Sequence, residues 1–354
     1  MNENAYWDAP LTRVAPLKSM GISKKIAIDL GTANSVVLVI GEGIVINEPT
    51  VVAVSADDRK VLAVGNAAKE MLGKTPESIE AIKPLKDGVI ADYVITEAML
   101  HYFLDRSGGR IRFVKPEVMI AVPAGVSSVE SRAVLEAALS AGARMAYLIP
   151  EPLAAAIGAD LPIGDASGNM IINSGGGTTE TAVITLGGIV VSGSARVAGN
   201  QLDETIAAYI RKKYSLLVGE NTAEEVKISI GSALPLPKEL EMEVKGRDTI
   251  SGLPRTIIIR SSEVVNAIEP TLKEMVTEVK KVLEKTPPEI VGDIIDKGIV
   301  MSGGTAKLRN IDKFITKETG LPAHVADDPL LCVVKGVATA LENLELFEKS
   351  IIRR

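Results

Sequence analysis

Two short segments of this chain each join an apolar run to a turn of small residues, and they lie about 140 residues apart. The first covers residues 26–34 (IAIDLGTAN) and the second covers residues 170–179 (MIINSGGGTT). A further β-rich run and a second glycine turn follow each segment, a pattern that predicts two matching β-hairpins. Glycine lets backbone N–H groups approach phosphate oxygens, and a threonine hydroxyl adds another donor. The repeat therefore predicts two halves of a protein that close on one phosphorylated ligand.

The composition is that of a globular protein with more than one domain, because 354 residues exceed what a single core comfortably holds. The net charge of −6 and the pI of about 5.3 argue against nucleic acid as a partner. Aromatic residues make up only 3%, which leaves few rings for stacking on single strands. The lone Cys332 fits a reducing cytosol. No uncharged apolar stretch approaches the roughly 18 residues that span a bilayer, and no secretory signal pattern is present.

Strand-like and helix-like segments alternate along the chain, which predicts an α/β fold with parallel strand pairs among the hairpins. The sequence predicts several helices, among them those at residues 93–104, 127–141, 201–214 and 262–284. Ser127 or Ser128 is available as the N-cap of the second of these helices. A last helix is predicted over residues 331–352, which would place Arg353 and Arg354 favourably at its carboxyl end.

Further motifs make the chain resemble a known family. They are GIVINEP at 43–49, KPLKDGVIAD at 83–92, EPLAAAIG at 151–158, GGGTTE at 175–180, TPPE at 286–289 and MSGG at 301–304. With the first glycine turn, and in this order from Lys25 onwards, they resemble the MreB family of bacterial actin homologues. Several of the motifs are shared by the wider superfamily of actin, sugar kinases and heat-shock ATPases. The segment PLKDGVIAD indicates the MreB family in particular.

The resemblance implies an actin-like ATPase fold with two lobes, each a mixed sheet flanked by helices and carrying a smaller inserted subdomain. Residues 239–259 have, by themselves, the polar β pattern of a small inserted subdomain. The implied segments are a flexible N-terminal extension (residues 1–24), lobe I (25–152 plus 330–354, insert about 43–77) and lobe II (153–329, insert about 195–258).

The resemblance also implies ATP with Mg²⁺ in the cleft between the lobes. Asp29 would hold Mg²⁺ through water, because a carboxylate suits a hard cation, and the alternative is an ordinary turn aspartate. The implied nucleotide-binding residues are Thr32, Ala33 and Asn34 on one side of the phosphates, Gly175, Gly176, Gly177 and Thr178 on the other, Gly303, Gly304, Thr305 and Ala306 under the base and α-phosphate, and Glu224 and Lys227 at the adenosine. The last two lie one helical turn apart, so a surface ion pair is the alternative for them.

Hydrolysis of the nucleotide would depend on Glu151 and on position 173. In the resemblance Glu151 orients the attacking water, whereas the alternative is a helix start with Pro152 at the first turn. The family carries aspartate where this chain has Asn173, and asparagine keeps the shape but loses the charge and the ability to accept a proton. Losses of this kind lower a rate by about 10²–10⁴. We therefore expect this chain to bind ATP and to hydrolyse it slowly.

A membrane contact is implied at residues 108–113 (GGRIRF), which match the membrane-facing loop of the family. Ile111 and Phe113 alternate with Arg110 and Arg112, so an extended loop would present one apolar and one basic face. The alternative is that Phe113 begins the next buried strand.

The sequence thus predicts a nucleotide-dependent cytoskeletal protein that is cytoplasmic and peripheral on the inner face of the plasma membrane. By resemblance it would maintain rod shape and guide cell-wall synthesis. Its implied partners are further copies of itself in a homopolymer, the inner membrane surface and membrane proteins of cell-wall elongation. The alternatives are a hydrolysis-deficient regulatory paralogue and a small-molecule kinase of the same superfamily, although no segment stands out as a sugar- or acid-binding site. A chaperone ATPase would need a substrate domain after the last glycine turn, where only one helix is predicted.

Overall fold

The structure is a computed structural model, and it describes residues 23–108 and 115–353. Its strands are β1 Lys25–Leu30, β2 Asn34–Val39, β3 Gly43–Pro49, β4 Val52–Ser55, β5 Val61–Val64, β6 Ile79–Ile82, β7 Leu85–Lys86, β8 Val89–Ile90, β9 Glu117–Val122, β10 Met145–Pro150, β11 Asn169–Ser174, β12 Thr179–Thr185, β13 Gly188–Ala195, β14 Leu216–Leu217, β15 Glu241–Asp248, β16 Pro254–Arg260, β17 Ile299–Ser302, β18 Ala323–Val325 and β19 Ile352–Arg353. Its α-helices are α1 Asn66–Lys69, α2 Tyr93–Gly108, α3 Ser128–Ser140, α4 Glu151–Gly158, α5 Gly199–Tyr214, α6 Glu220–Ile230, α7 Ser261–Lys285, α8 Pro288–Lys297, α9 Ile311–Thr319 and α10 Cys332–Glu342. Two 3₁₀ helices cover Gly304–Lys307 and Glu348–Ser350.

Two large mixed sheets repeat one arrangement. The strand order of the first sheet is β19-β10-β9-β1-β2-β3, and that of the second is β13-β12-β11-β17-β18. In the first sheet the antiparallel meander β1-β2-β3 continues, through β1, into the parallel strands β9 and β10. In the second sheet the meander β11-β12-β13 continues, through β11, into the parallel strands β17 and β18. The predicted α/β class is confirmed, and both predicted hairpins occupy the same place in their sheets.

Smaller sheets accompany the two large ones. Strands β5, β4 and β6 form one three-stranded sheet, and β14, β15 and β16 form another. The predicted polar β segment at 239–259 is occupied by β15 and most of β16. The chain positions predicted for the borders of the lobes and their inserts stay predictions.

Helices α4 and α10 lie between the two large sheets and touch backbone to backbone. A Cβ atom added to Gly158 would lie 1.8 Å from the Cys332 carbonyl oxygen, and one added to Gly336 would lie 1.8 Å from the Ala154 carbonyl oxygen. Their apolar side chains share one buried cluster with residues of both sheets, including Ala27 of β1. Small residues on both helices therefore set the closest approach of the two halves.

Local signals placed most helix ends well. The hydroxyl of Ser127 accepts a hydrogen bond from the Glu130 backbone N–H at 3.2 Å, and the Glu130 carboxylate accepts one from the Ser127 N–H at 2.8 Å. This reciprocal capping box makes Ser127, one of the two predicted candidates, the N-cap of α3. None of the described helices has the length and apolar character needed to cross a membrane.

The prediction of one last helix over 331–352 is wrong. Helix α10 ends at Glu342, and Asn343 leaves the helical region with φ −122° and ψ 48°. Strand β19 then pairs antiparallel with β10, opposite Tyr147 and Leu148. Pairing at the free edge of the first sheet satisfies backbone groups that a longer helix would have carried away from it. Arg353 consequently lies in an edge strand and not at a helix end.

Candidate functional site

The first glycine turn joins β1 to β2 and is held from both sides. The backbone N–H of Thr50 donates to the Ala33 carbonyl oxygen at 2.9 Å, and the Thr50 hydroxyl donates to the Gly31 carbonyl oxygen at 2.6 Å. The Thr32 hydroxyl oxygen accepts a hydrogen bond from the Gly88 N–H at 3.0 Å. Gly88 has a positive φ of 78° and belongs to the KPLKDGVIAD segment, so this segment contacts the first glycine turn directly. Asn34, the remaining predicted residue of this turn, begins β2.

The second glycine turn joins β11 to β12 and is closed by a hydrogen bond from the Gly175 N–H to the Thr178 carbonyl oxygen at 2.9 Å. Helix α5 begins directly behind it. The first N–H groups of that helix, at Gly199 and Asn200, donate to the Gly175 and Gly176 carbonyl oxygens at 3.1 and 2.8 Å. The helix N-terminus thus fixes the orientation of the turn.

The two glycine turns contact one another. A Cβ atom added to Gly176 would lie 2.5 Å from the Ala33 Cβ, and one added to Gly177 would lie 2.7 Å from the Thr32 hydroxyl oxygen. The turn of one sheet therefore faces the turn of the other at a distance that only glycine allows. This is the arrangement in which N–H groups from both sheets can surround one anionic group.

The third glycine turn, after β17, packs beneath the second. Gly303 has a positive φ of 86°, and a Cβ atom there would lie 2.2 Å from the Ser174 carbonyl oxygen. The Thr305 hydroxyl donates to the Gly175 carbonyl oxygen at 2.8 Å. Gly304, Thr305 and Ala306 form the first turn of a 3₁₀ helix. All three turns lie at the carboxyl ends of strands, where ligands of α/β sheets bind.

A buried polar group lies beside these turns. Glu151 is the first residue of α4, and its carboxylate accepts a long hydrogen bond of 3.4 Å from the Asn173 side-chain amide. The Asn173 amide oxygen accepts in turn from the Ser302 hydroxyl at 3.0 Å. Asn173 is thereby held between α4 and β17, with its N–H₂ group directed at the carboxylate.

Three acids in this region hold their protons unusually tightly. Burial raises the pKa of Asp29, near the end of β1, from 3.8 to about 7. Burial, and then the negative charges of Glu180 and Asp29, raise the pKa of Glu151 well above 4.5. Burial raises the pKa of Glu180, in β12, from 4.5 to about 7, against the lowering effect of the hydrogen bond from the Ala124 backbone N–H and of the Ser194 hydroxyl on the neighbouring strand. An added cation would reverse this balance and favour the ionised forms.

The predicted adenosine pair, Glu224 and Lys227, has other partners. Glu224 forms an ion pair with Lys69 of α1 at 2.8 Å. The Lys227 ammonium donates to the Gly199 carbonyl oxygen at 3.0 Å and to the Asp203 carboxylate at 2.8 Å. Burial raises the pKa of Asp203 to about 6, although the Lys227 charge opposes the shift. The alternative of an ion pair between Glu224 and Lys227 is therefore not what the structure contains.

Lys227 connects α6 to the second glycine turn through Gly199. The Gly199 carbonyl oxygen accepts from Lys227, and the Gly199 N–H donates to the Gly175 carbonyl oxygen. One turn before Glu224 on α6, Glu220 forms an ion pair with Lys83, which follows β6. Helix α6 thus bonds to α5 on one side and, through Lys69 and Lys83, to the segment around the β5-β4-β6 sheet on the other.

Some residues of the site were missed by sequence reasoning, and one pair cannot be placed. Glu180 was overlooked although a four-residue turn at 175–178 sets it opposite Asn173 in the hairpin. Asp203 was overlooked because nothing in its local sequence indicates Lys227. Ile111 and Phe113, the predicted membrane residues, lie outside the described residues.

Comparison with known proteins decides the family. The MreB/Mbl protein family model matches residues 23–349. The chain belongs to the MreB/Mbl family. It is 48% identical over 330 residues to the cell shape-determining protein MreB of Escherichia coli, covering 92% of this chain and 95% of that protein. It is 46% identical over 327 residues to the cell shape-determining protein Mbl of Bacillus subtilis, covering 92% and 98%.

The solved structures agree with this family membership. A crystal structure of MreB5 of Spiroplasma citri bound to ADP matches with a TM-score of 0.87 and 39% identity, covering 91% of this chain and 98% of that one. The same protein bound to AMPPNP matches with a TM-score of 0.88 and 38% identity, covering 92% and 98%. The predicted actin-like fold is therefore confirmed. A double helical filament of MamK, 21% identical with a TM-score of 0.78, shares the fold.

Magnesium suits this MreB/Mbl site only together with a phosphate ligand. Among residues 23–108 and 115–353, no group of three or more His, Cys, Asp or Glu side chains is arranged to hold a metal ion. Mg²⁺ typically keeps several waters and takes its remaining ligands from one or two carboxylates and the phosphates of a substrate. Asp29, partly buried near two further acids, fits such a single carboxylate.

Proposed function

We propose that this chain is a nucleotide-dependent cytoskeletal protein of the MreB type, which assembles into homopolymeric filaments and helps to maintain the rod shape of the cell. The observation that supports the proposal is the contact between the glycine turns of β1–β2 and β11–β12. Two turns that face each other across two sheets can bind one triphosphate only when both halves close on it. Nucleotide binding then changes the relative position of the halves, which is what a polymer interface can sense.

The nucleotide is ATP with Mg²⁺ in this proposal. Thr32, Ala33 and Asn34 bind the phosphates from one side, and the Gly175–Thr178 turn binds them from the other. Asp29 holds Mg²⁺ through water, and the turn at Gly303 supports the base and α-phosphate. The ADP- and AMPPNP-bound structures of the MreB5 relative support this assignment.

Glu224 and Lys227 lie at the adenosine side in this proposal. Because Glu224 contacts Lys69, the nucleotide either displaces that lysine or binds beside it. Lys227 remains in contact with Gly199, which bonds to the second glycine turn. Binding of adenosine near Lys227 can therefore shift the turn that binds the phosphates.

Hydrolysis is slow in this proposal, because Asn173 replaces a carboxylate. The test is steady-state phosphate release by the wild type and by Asn173→Asp, with Glu151→Gln as the inactive reference. We expect Asn173→Asp to raise kcat at least tenfold, toward the 10²–10⁴ range of a restored positioning group. Equal rates with equal nucleotide affinity would contradict the role of position 173.

Filament formation and membrane contact are tested together by electron microscopy of the purified protein with ATP and Mg²⁺, with and without an anionic lipid monolayer. We expect filaments that lie flat on the lipid. Burial of Ile111 and Phe113 would contribute about 1.5–3 kcal/mol each, and each neighbouring arginine about 1 kcal/mol at an anionic surface. One subunit would bind weakly, whereas a filament multiplies the contact.

A double variant, Ile111→Ser with Phe113→Ser, examines the loop alone in a liposome co-sedimentation assay. We expect it to polymerise normally and to pellet less with liposomes. Undiminished pelleting would remove the membrane role of this loop and leave the filament proposal intact. Cell-wall elongation proteins, named by family resemblance, would then be the means of attachment to the inner membrane.

Asn173 also supports a second candidate, a hydrolysis-deficient paralogue that co-assembles with an active filament protein. This candidate predicts that the chain alone gives no filaments with ATP but enters filaments of a hydrolysing relative. Filaments of the pure chain that turn over ATP would exclude it.

A further inference from the structure

Glu180 is a buried carboxylate that faces the hydrolysis site and that no assignment above uses. It lies in β12 directly opposite Asn173 in the antiparallel pair with β11. Residues opposite one another in such a pair point to the same face, with Cβ atoms about 4.5–5.5 Å apart. Because Asn173 itself contacts Glu151, the three side chains lie in sequence across α4, β11 and β12.

Only part of the Glu180 carboxylate has a structural role. One oxygen, Oε2, accepts a hydrogen bond from the Ala124 backbone N–H at 3.0 Å. The other, Oε1, is buried and has no hydrogen-bond partner among the described residues. A buried acceptor that is left without a partner requires an explanation, because native structures contain few. A glutamine side chain, with its single amide oxygen, could accept the hydrogen bond from Ala124 equally well. That bond therefore does not explain why the side chain is an ionisable carboxylate with a second oxygen.

The charged groups around Glu180 have the same sign. Burial first, then the charge of Glu180 and then that of Asp29, from β1, raise the pKa of Glu151, from α4. The other groups that act on Glu180 are the backbone N–H at Ala124 and the hydroxyl of Ser194, from β13. Glu180 is therefore the charged neighbour with the largest effect on Glu151.

We propose that Glu180 supplies part of the negative charge that position 173 lacks, and that it acts through Glu151 as a positioning residue for nucleotide hydrolysis. The inference rests on the proposed function. In this step the water oxygen bonds to the γ-phosphorus, and the bond from that phosphorus to the bridging oxygen breaks with its electron pair left on the diphosphate. The proton of the water passes to the Glu151 carboxylate and later leaves with the phosphate or to solvent. A carboxylate beside a second negative charge accepts that proton more readily than one beside a neutral amide.

The test is a double-mutant cycle on Glu180 and Asn173, using phosphate release and the affinity for a fluorescent ATP analogue. We expect Glu180→Gln, which keeps the hydrogen bond from Ala124, to lower kcat at least tenfold and to change nucleotide affinity less than twofold. We expect Asn173→Asp to raise kcat by a larger factor in the Glu180→Gln background than in the wild type, because in that background no other carboxylate compensates for position 173. A residue that only stabilises the fold would leave the factor for Asn173→Asp the same in both backgrounds.

Thr181→Val is the matched control. Thr181 is the next residue of β12 and points to the opposite face of the sheet; it is also buried, and its hydroxyl has no hydrogen-bond partner within the described part of the chain. We expect its kcat to remain within twofold of the wild type. A second variant, Glu180→Asp, keeps the charge and moves it by one methylene, and we expect its kcat to stay within about threefold of the wild type.

Stability of the nucleotide-free protein provides a readout that does not depend on activity. An acid whose pKa is raised on folding makes the protein less stable as the pH rises from the unfolded to the folded pKa. Glu180→Gln removes one such acid, so its melting temperature should fall less than that of the wild type between pH 5.5 and 8. Identical pH profiles would show that Glu180 does not bear the charge that the proposal needs.

The outcomes are distinguishable from failure of the proposed function. Normal hydrolysis by Glu180→Gln, or an equal effect of Asn173→Asp on kcat in the wild-type and Glu180→Gln backgrounds, overturns this inference and leaves nucleotide binding untouched. A tenfold loss in Glu180→Asp also overturns it, and this variant decides the matter if Glu180→Gln does not fold. Absence of nucleotide binding by the wild type would instead refute the proposed function.

Discussion

Replacement of Asp29 by asparagine should make the nucleotide-free protein more stable at neutral pH. Burial raises the pKa of this carboxyl from 3.8 to about 7, a shift of roughly three units. One unit corresponds to about 1.36 kcal/mol, so an unshielded calculation gives about 4 kcal/mol. The side chain retains some solvent exposure, which makes that value an upper limit, and we expect about 2 kcal/mol.

The sign follows from proton linkage. Below pH 3.8 the carboxyl is protonated in both the folded and the unfolded protein, and asparagine brings no electrostatic gain. Between pH 3.8 and 7 the unfolded chain ionises while the folded protein holds its proton, so the wild type loses stability as the pH rises. Above about pH 7 the loss is complete and constant. The advantage of Asp29→Asn should therefore grow through this window and level off above it.

Urea denaturation of nucleotide-free protein at pH 4.5, 6 and 8 measures the effect, with Asp57→Asn as the control for loss of one exposed negative charge. Because Asp29 is also the proposed Mg²⁺ residue, Asp29→Asn should bind Mg²⁺ and ATP more weakly while it resists urea better. A stability difference that does not change with pH would refute the argument from burial. A less stable Asp29→Asn at pH 8 would refute it outright.

Two further predictions concern the packing of the halves. Gly336→Ala should lower the free energy of unfolding by about 3 kcal/mol or more, because its Cβ would lie 1.8 Å from the Ala154 carbonyl oxygen. The control is Gly292→Ala in α8, which should be neutral or slightly stabilising because its Cβ would meet no described atom within 4 Å. Chemical denaturation compares the two variants, and equal effects would contradict the close helix contact. Lys83→Glu should speed release of a fluorescent nucleotide up to about fivefold, since an exposed ion pair contributes at most about 1 kcal/mol, and adding Glu220→Lys should restore the slow rate. Failure of the charge exchange to restore it would show that this ion pair does not link the halves.

Local sequence determined the parts of the fold that depend on nearest neighbours along the chain. The glycine turns, their hairpins and the Ser127 cap were all predicted, because turn and cap geometry is set within four or five residues. The repeated apolar-turn pattern also indicated two similar sheets. The family resemblance added the fold and the residues to examine, including Asn173 as the departure.

Tertiary structure decided what depends on distant segments. The prediction of a helix to residue 352 failed because the edge of β10, some 200 residues earlier, pairs with β19. Glu224 and Lys227 have the spacing of an intrahelical pair, yet Lys69 and Asp203 are closer partners once the halves fold together. The raised pKa of Asp29 and the effect of the Glu180 charge on Glu151 likewise arise only when folding brings β1, α4 and β12 together around these acids. Chain sequence specifies which groups are present, whereas burial and the approach of remote strands determine their charge and their partners.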